Sequence, residues 1–334
     1  MTKSNMKKLL SVSLLLLLYL TVSAQTNTPQ ITNRYGMKMT RNADGSYALV
    51  SQKKLERIID ISRIPDLYVP YTYVSDRLKS KDYKGVETQD IVFKKHDGYE
   101  LVLSVDKAVS ASPTPFMIYL HGGGWSRGDN GSSRSLSQYL AKQKGITGIR
   151  VSYTLAPQKG ASVAVSVQDV LDAVTYVQQH ARALNVDPNV FGFLGTSAGA
   201  HLAAVAAMTV PHTKLLVCYS GIFDLETASL VAKTKDQQRI AYFDQLSAKT
   251  LQKYSPVNLI PKKDVPAAML VCGTCDVTVE PAQSQLFATA LKKRGGSVEL
   301  LEYPFYDHNL SSKGSDKMEE IFFKTVDFVT ERLK

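Results

Sequence analysis

Residues 190–207 read VFGFLGTSAGAHLAAVAA and contain the most informative pattern of this chain. The first five of these residues form an apolar run typical of a buried strand, and apolar residues recur with helical spacing further on. Between the two lies the pattern G-x-S-x-G at Gly195–Gly199. A strand-to-helix turn this tight holds its serine in a strained conformation with the hydroxyl exposed, and the glycines remove side chains that would clash. The pattern therefore predicts that Ser197 is a nucleophile.

A second glycine-rich motif follows another apolar run. The predicted strand Phe116–Leu120 ends in the sequence HGGGW at His121–Trp125. Attack of a serine on a carbonyl creates a negatively charged oxygen, which hydrogen-bond donors fixed in advance stabilise. We expect the N–H of Gly122 or Gly123, together with the N–H of Ala198, to form this oxyanion hole. The alternative is a glycine-rich turn without a chemical role.

The serine needs a histidine as its base and a carboxylate that orients the histidine. After an elbow of this kind the acid comes next in the chain and the histidine last. His308 is the only histidine in the C-terminal third of the chain, and Asp276 follows the predicted strand Ala267–Cys272. We predict that these two residues complete the triad. Glu280, which precedes a predicted helix, and Asp307, the neighbour of His308, are the alternatives for the acid.

The remaining histidines and the cysteines show no pattern of a metal or cofactor site. The chain has no H-E-x-x-H, no cluster of paired cysteines that suggests zinc, no G-x-G-x-x-G after a strand and no Walker lysine. His201, one helical turn past Ser197, is expected to be a packed helix residue, and His121 is expected to hold the oxyanion loop in shape. We predict no metal ion and no organic cofactor.

These motifs resemble the α/β-hydrolase superfamily, in particular its carboxylesterase and lipase branch with an HGGGW-type oxyanion loop. The segment VSYTLAP at Val151–Pro157 is similar to the V-x-Y-R-L-A-P segment of that branch, with Thr154 in place of the usual arginine. GTSAGAHLA at Gly195–Ala203 is similar to the serine elbow of carbohydrate acetyl-esterases, feruloyl esterases and kynurenine formamidase-like enzymes. Gly273–Val279 resembles the acid loop of the family. The resemblance covers roughly residues 86–334.

Strands and helices alternate along the C-terminal part of the chain. After an antiparallel pair at Ile91–Phe93 and Leu101–Val105, strand-like runs alternate with helical patterns. We predict an α/β class protein with the α/β-hydrolase fold, a mostly parallel central sheet and helices on both faces. Residues 222–260 interrupt the alternation and have a helical period over Gln237–Lys253, which predicts a small helical cap. The predicted parallel strands are 116–120, 146–152, 190–195, 215–219, 268–272 and 298–303.

The N-terminus has the composition of a signal peptide. Three lysines precede the apolar run Leu9–Leu20, and the small residues before Gln25 form a cleavage pattern. We expect cleavage after Ala24 and export to a bacterial periplasm or the outside of the cell. Stable membrane insertion is not expected afterwards, because the run is short of the roughly 20 residues of a span. An uncleaved anchor is the alternative. The predicted divisions are a signal peptide at 1–24, an N-terminal arm at 25–85 and a catalytic domain at 86–334.

The arm at 25–85 is polar and rich in tyrosine. Its pattern predicts a short amphipathic helix at Ser51–Ile61. Two interpretations of the arm are open: it closes the substrate pocket, or it packs as a strap over the sheet.

The chain is basic, with a formal net charge of +10, and loss of the three lysines of the signal peptide lowers it to +7. Such a balance is typical of proteins that meet nucleic acid or anionic surfaces. Here the basic residues are dispersed, with no run of five, so we interpret them as solvated surface charge and predict no nucleic-acid partner. The sequence leaves the oligomeric state open.

The leading hypothesis is a secreted serine ester hydrolase that acts through an acyl-enzyme. The resemblance alone implies its substrates, which are small-molecule or polysaccharide-linked esters with a short-chain or carbohydrate-linked acyl group. The second hypothesis is an amidase, peptidase or formamidase with the same triad. The third is a non-catalytic binding homologue. The presence of the serine, the histidine and the oxyanion glycines argues against it.

Overall fold

The computed structural model describes residues 30–32, 38–41, 47–50, 55–59, 84–304, 306–310 and 315–334. The chain divides into two compact units, Met1–Pro70 and Tyr71–Lys334. The expected signal peptide at 1–24 lies outside the described residues, and the expected arm boundary at residue 85 stays a prediction. Within the described part of the chain, no helix has both the length and the apolar character needed to cross a bilayer.

The N-terminal unit contains a four-stranded antiparallel sheet, in the order β1-β2-β3-β4. Its strands are β1 (Gln30–Thr32), β2 (Lys38–Arg41), β3 (Tyr47–Val50) and β4 (Leu55–Ile59). The predicted helix at Ser51–Ile61 is therefore wrong, because residues 55–59 pair with β3. Short apolar runs with β-branched residues are compatible with a helix or with a strand, and pairing with a neighbouring strand decides between the two.

The C-terminal unit is built on an eight-stranded sheet in the order β12-β11-β10-β9-β7-β8-β6-β5. Strands β7 to β12 are mutually parallel where they pair, and the β5–β6 hairpin joins the edge through an antiparallel contact of β6 with β8. This confirms the predicted mostly parallel sheet. The strands are β5 (Thr88–His96), β6 (Tyr99–Asp106), β7 (Thr114–Leu120), β8 (Thr147–Val151), β9 (Val186–Thr196), β10 (Thr213–Tyr219), β11 (Ala267–Gly273) and β12 (Val298–Tyr303).

Helices cover both faces of this sheet, because each central strand is apolar on both sides. Phe116 and Ile118 of β7 belong to one buried cluster, and Met117 and Tyr119 belong to a second cluster on the opposite face. Runs buried on both faces are what a parallel sheet requires. The helices are α1 (Arg134–Tyr139), α2 (Val163–Gln179), α3 (Ala181–Leu184), α4 (Ala198–Thr209), α5 (Ser229–Ala232), α6 (Gln237–Tyr242), α7 (Ala248–Tyr254), α8 (Pro281–Lys293) and α9 (Ser315–Leu333).

The central helix α4 is the most deeply packed of the described helices. Eleven of its residues, Ala198–Met208, are buried. A helix that is apolar on all sides belongs inside a core rather than on a surface. Its six alanines allow the neighbouring helix and strands to approach closely. Because α4 begins two residues after the end of β9, its N-terminal end lies at the carboxyl edge of the sheet.

The cap inserted at 222–260 consists of α5, α6, α7 and two 3₁₀ turns. The helix predicted over Gln237–Lys253 is broken, because residues Asp244–Leu246 all have positive φ angles of 53–58°. Each half has its own N-terminal cap: Asp236 accepts from the N–H of Gln238, and Ser247 accepts from the N–H of Thr250. The break turns Phe243 into the core, where it is fully buried.

Candidate active site

Ser197 sits at the junction of β9 and α4 in a strained conformation, with φ 54° and ψ −121°. A β-carbon placed on Gly195 would lie 2.3 Å from the carbonyl oxygen of Gly199, and one on Gly199 would lie 2.2 Å from the carbonyl oxygen of Leu120. Neither position can therefore hold a larger residue. The N–H of Ser197 donates to the carbonyl of Tyr219 on β10 at 2.8 Å, which fixes the elbow to the sheet.

The three predicted triad residues form one hydrogen-bonded chain. His308 Nε2 lies 2.9 Å from Ser197 Oγ, and His308 Nδ1 lies 2.8 Å from Asp276 Oδ2. The other oxygen of Asp276 accepts from the backbone N–H groups of Thr278 and Val279 at 2.9 and 2.8 Å. Since a carboxylate only accepts, Nδ1 carries the proton that it binds, and Nε2 is free to accept from the serine hydroxyl.

The two alternative acids lie elsewhere. Glu280 is the residue before α8, and its Oε2 accepts from the N–H of Ser229 in the cap at 3.4 Å. Asp307 shapes the turn in front of His308, where its Oδ1 accepts from the N–H of Asn309 at 3.0 Å. The geometry therefore brings Asp276, rather than either alternative, against the imidazole.

Backbone contacts hold the acid loop against the histidine loop. The N–H of Thr274 donates to the carbonyl of Tyr303 at 3.0 Å, and the N–H of Cys275 donates to the carbonyl of Tyr306 at 2.9 Å. A β-carbon on Gly273 would lie 2.1 Å from that same Tyr306 oxygen. The glycine that opens the acid loop is therefore required for the two loops to meet, a role that sequence reasoning did not assign to it.

Two of the three predicted oxyanion donors, Gly122 and Ala198, lie next to the serine. A β-carbon on Gly122 would lie 3.4 Å from the β-carbon of Ser197, so this glycine faces the nucleophile directly. Across the described residues, the N–H groups of Gly122, Gly123 and Ala198 donate to no protein oxygen. The N–H of Ala198 also belongs to the first turn of α4, where the helix dipole favours negative charge. These groups are placed to receive an oxyanion.

The oxyanion loop is anchored by the segment at Val151–Pro157. The hydroxyl of Tyr153 donates to the carbonyl of His121 at 2.8 Å, and its ring stacks on the His121 imidazole with centroids 4.3 Å apart. The N–H of Ala156 donates to the carbonyl of Trp125 at 2.7 Å. Burial lowers the pKa of His121, so the ring is a neutral packing element. The segment therefore fixes both ends of the HGGGW sequence.

His201 connects the loop, the nucleophile helix and the cap. Its Nδ1 accepts from the indole N–H of Trp125 at 3.3 Å, and its Nε2 donates to the carbonyl of Tyr254 at 2.8 Å. Complete burial lowers the pKa of His201 to about 4, so the ring is neutral and can make one donor and one acceptor contact. The four-residue spacing from Ser197 indicated that His201 lies one helical turn further along α4. Its two hydrogen-bond partners, Trp125 and Tyr254, come from distant parts of the chain.

A parallel sheet with a serine elbow, a paired histidine and aspartate, and unused backbone donors defines the α/β-hydrolase architecture of carboxylesterases. Residues 104–291 match the family model BD-FAE, which is more than half of the chain. The chain belongs to the BD-FAE family.

Relatives with related sequences are named as ester hydrolases. The chain is 28% identical over 164 residues to an arylesterase from Saccharolobus solfataricus, which covers 49% of this chain and 52% of that protein. It is 27% identical over 249 residues to an ethyl acetate hydrolase from Pseudomonas putida, and the match covers 68% of this chain and 76% of that protein. The chain thus spans only about half the length of the arylesterase that it matches.

Solved structures with the same fold include a thermophilic esterase from Thermogutta terrifontis. The propionate-bound form superposes with a TM-score of 0.62 at 26% identity, over 75% of this chain and 95% of that one. This likeness confirms the predicted fold.

Proposed function

We propose that this protein hydrolyses carboxylic esters through an acyl-enzyme formed on Ser197. The observation that carries the proposal is the hydrogen-bonded chain from Ser197 through His308 to Asp276, beside backbone N–H groups that have no acceptor among the described residues. Relatives named arylesterase and ethyl acetate hydrolase support the reaction class.

The hydrogen-bond directions support the proposed reaction. Ser197 Oγ attacks the ester carbonyl while His308 Nε2 takes its proton, and Asp276 stabilises the imidazolium that forms. The N–H of Ala198 and the N–H of Gly122 or Gly123 hold the oxyanion. His308 then protonates the leaving alcohol, and water, activated by the same imidazole, releases the acid. All the proposed steps use side chains and backbone groups of this chain.

We further propose that the acyl groups are short. Solved structures of the Thermogutta terrifontis esterase hold propionate and butyrate. Other relatives are named acetyl esterase, from Salmonella strains, and ethyl acetate hydrolase. We also propose that the ester is carbohydrate-linked, because the GTSAGAHLA elbow at Gly195–Ala203 is similar to that of carbohydrate esterases. Rates on 4-nitrophenyl esters from acetate to dodecanoate test the acyl length, and equal kcat/KM across the series would contradict it.

Export remains part of the proposal. It rests on the basic start, the apolar run Leu9–Leu20 and the small residues that precede Gln25. Expression of the full chain in a bacterium, followed by fractionation and sequencing of the mature N-terminus, tests it. A mature chain that begins at Gln25 outside the cytoplasm is expected. An intact N-terminus in the cytoplasm would contradict it.

The reaction class is tested with 4-nitrophenyl acetate and butyrate. The wild-type protein, Ser197→Ala and the control Ser132→Ala, at an exposed serine, are compared. We expect loss of nearly all activity in Ser197→Ala and wild-type rates in the control, because the rest of a triad does not compensate for a missing nucleophile. Equal activity of Ser197→Ala and wild type, or none in either, would contradict the proposal.

A further inference from the structure

An arginine of the cap lies beside the oxyanion loop. Arg239 belongs to α6, and its Nη2 lies 3.5 Å from where a β-carbon on Gly124 would sit. Because Gly124 has only hydrogen there, the guanidinium reaches the loop backbone one residue past Gly123, a candidate oxyanion donor. The next turn of the cap is held against the same loop, since the ring of Phe243 lies 4.9 Å from that of Trp125.

The described residues use only part of the hydrogen-bonding capacity of the Arg239 guanidinium. Its Nη1 donates to the carbonyl of Leu230 and to Thr234 Oγ1, both at 3.3 Å. Its Nε is buried, and no described residue accepts from it. Among the described residues, the carboxylate found within 4.0 Å of Nη2 is that of Asp236, whose Oδ2 lies at 4.0 Å and whose side chain is 49% exposed. A guanidinium has five N–H donors, so several remain for another acceptor.

This combination fits an anionic ligand better than a purely structural arginine. A buried N–H without an acceptor costs free energy, which an oxygen of a ligand would recover. The planar guanidinium matches a carboxylate through two parallel hydrogen bonds, and such pairs are stronger where water is excluded. The Arg239 side chain is 20% exposed, so it is reachable from solvent while being mostly desolvated.

We propose that Arg239 binds a carboxylate of the substrate. The preferred esters would then be those with an acidic group close to the scissile ester, either half-esters of dicarboxylic acids or acyl esters of hydroxy acids and sugar acids. This inference rests on the proposed ester hydrolysis at Ser197. Arg239 acts on specificity alone, since the triad and the oxyanion donors are complete without it.

The test compares charged esters with neutral esters of the same shape. The monoethyl esters of malonic, succinic, glutaric and adipic acid are measured beside the diethyl esters, and acetoxyacetate is measured beside its methyl ester. Hydrolysis is followed by pH-stat for the wild type, Arg239→Gln, Arg239→Lys and Lys235→Gln. Lys235 is an exposed cation of the same cap, so its variant removes the same charge away from the loop.

We expect Arg239→Gln to lower the ratio of kcat/KM for the best charged ester to that for its neutral partner by at least about tenfold. Arg239→Lys should restore part of the ratio, and Lys235→Gln should change it less than twofold. A ratio unchanged in Arg239→Gln, or lowered equally in Lys235→Gln, would overturn the inference. If the wild type hydrolysed only the neutral esters, the inference about Arg239 would be overturned, while the proposed ester hydrolysis at Ser197 would stand. No hydrolysis of any ester would instead refute the proposed function.

Discussion

The indole Nε1 of Trp125 donates a hydrogen bond to Nδ1 of His201, at 3.3 Å. The first residue ends the HGGGW sequence, and the second lies one turn beyond the nucleophile on α4. Both side chains are fully buried. The contact ties the position of the oxyanion loop to that of the serine, so the two halves of the proposed oxyanion hole cannot move independently.

Protonation of His201 should destabilise the protein. Its pKa is about 4 in the folded chain and 6.5 in the unfolded chain. The unfolded state therefore binds more protons between these values, and stability falls as the pH drops from 6.5 to 4. At 1.36 kcal/mol per pKa unit, the loss approaches about 3 kcal/mol. Urea unfolding of the wild type at pH 7.5 and at pH 4.5 measures this difference in the free energy of unfolding.

The matched variants for this prediction are His201→Gln and His212→Asn. Glutamine keeps one acceptor and one donor but does not titrate in this range. The free energy of unfolding of His201→Gln should therefore fall much less between pH 7.5 and 4.5 than that of the wild type, by most of the loss assigned to His201. His212 is exposed. The free energy of unfolding of His212→Asn should fall as much as that of the wild type between the two pH values. An identical pH dependence in His201→Gln and wild type would show that His201 does not carry the effect.

Alanine at Gly199 should prevent correct formation of the elbow. The added carbon would lie 2.2 Å from the carbonyl oxygen of Leu120, which is backbone and has no room to move. We expect a loss of stability above about 4 kcal/mol, or failure to fold. Gly145→Ala is the control, because no described atom lies within 4 Å of its added carbon, so only the positive φ of 64° at this position strains the new residue. It should cost about 1 kcal/mol. Similar thermal midpoints for the two variants would contradict this account.

Asp276→Asn should lower kcat by about 10²–10⁴-fold, because an amide cannot stabilise the imidazolium and favours the wrong tautomer. Glu280→Gln should leave kcat within about threefold, since this side chain contacts the cap rather than His308. Steady-state rates on 4-nitrophenyl butyrate compare the two. If Glu280→Gln were the more damaging change, the assignment of the acid would have to be reversed.

The local patterns were sufficient to predict the parallel sheet and the grouping of Ser197, Asp276 and His308. Each of these residues follows a strand, and parallel strands end at the same edge. The break in the cap helix was not predictable, because burial of Phe243 against Trp125 depends on tertiary packing. The position of Arg239 beside Gly124 was not predictable either, because the two residues are more than a hundred positions apart in sequence.

If Ser197 is an activated nucleophile, an organophosphate should trap it covalently. The protein is incubated with diethyl 4-nitrophenyl phosphate, and the adduct is located by peptide mass spectrometry. We expect one diethylphosphoryl group per chain on Ser197, release of one equivalent of 4-nitrophenol, and much slower labelling in His308→Ala. No adduct, or an adduct on another residue with Ser197 unmodified, would contradict it.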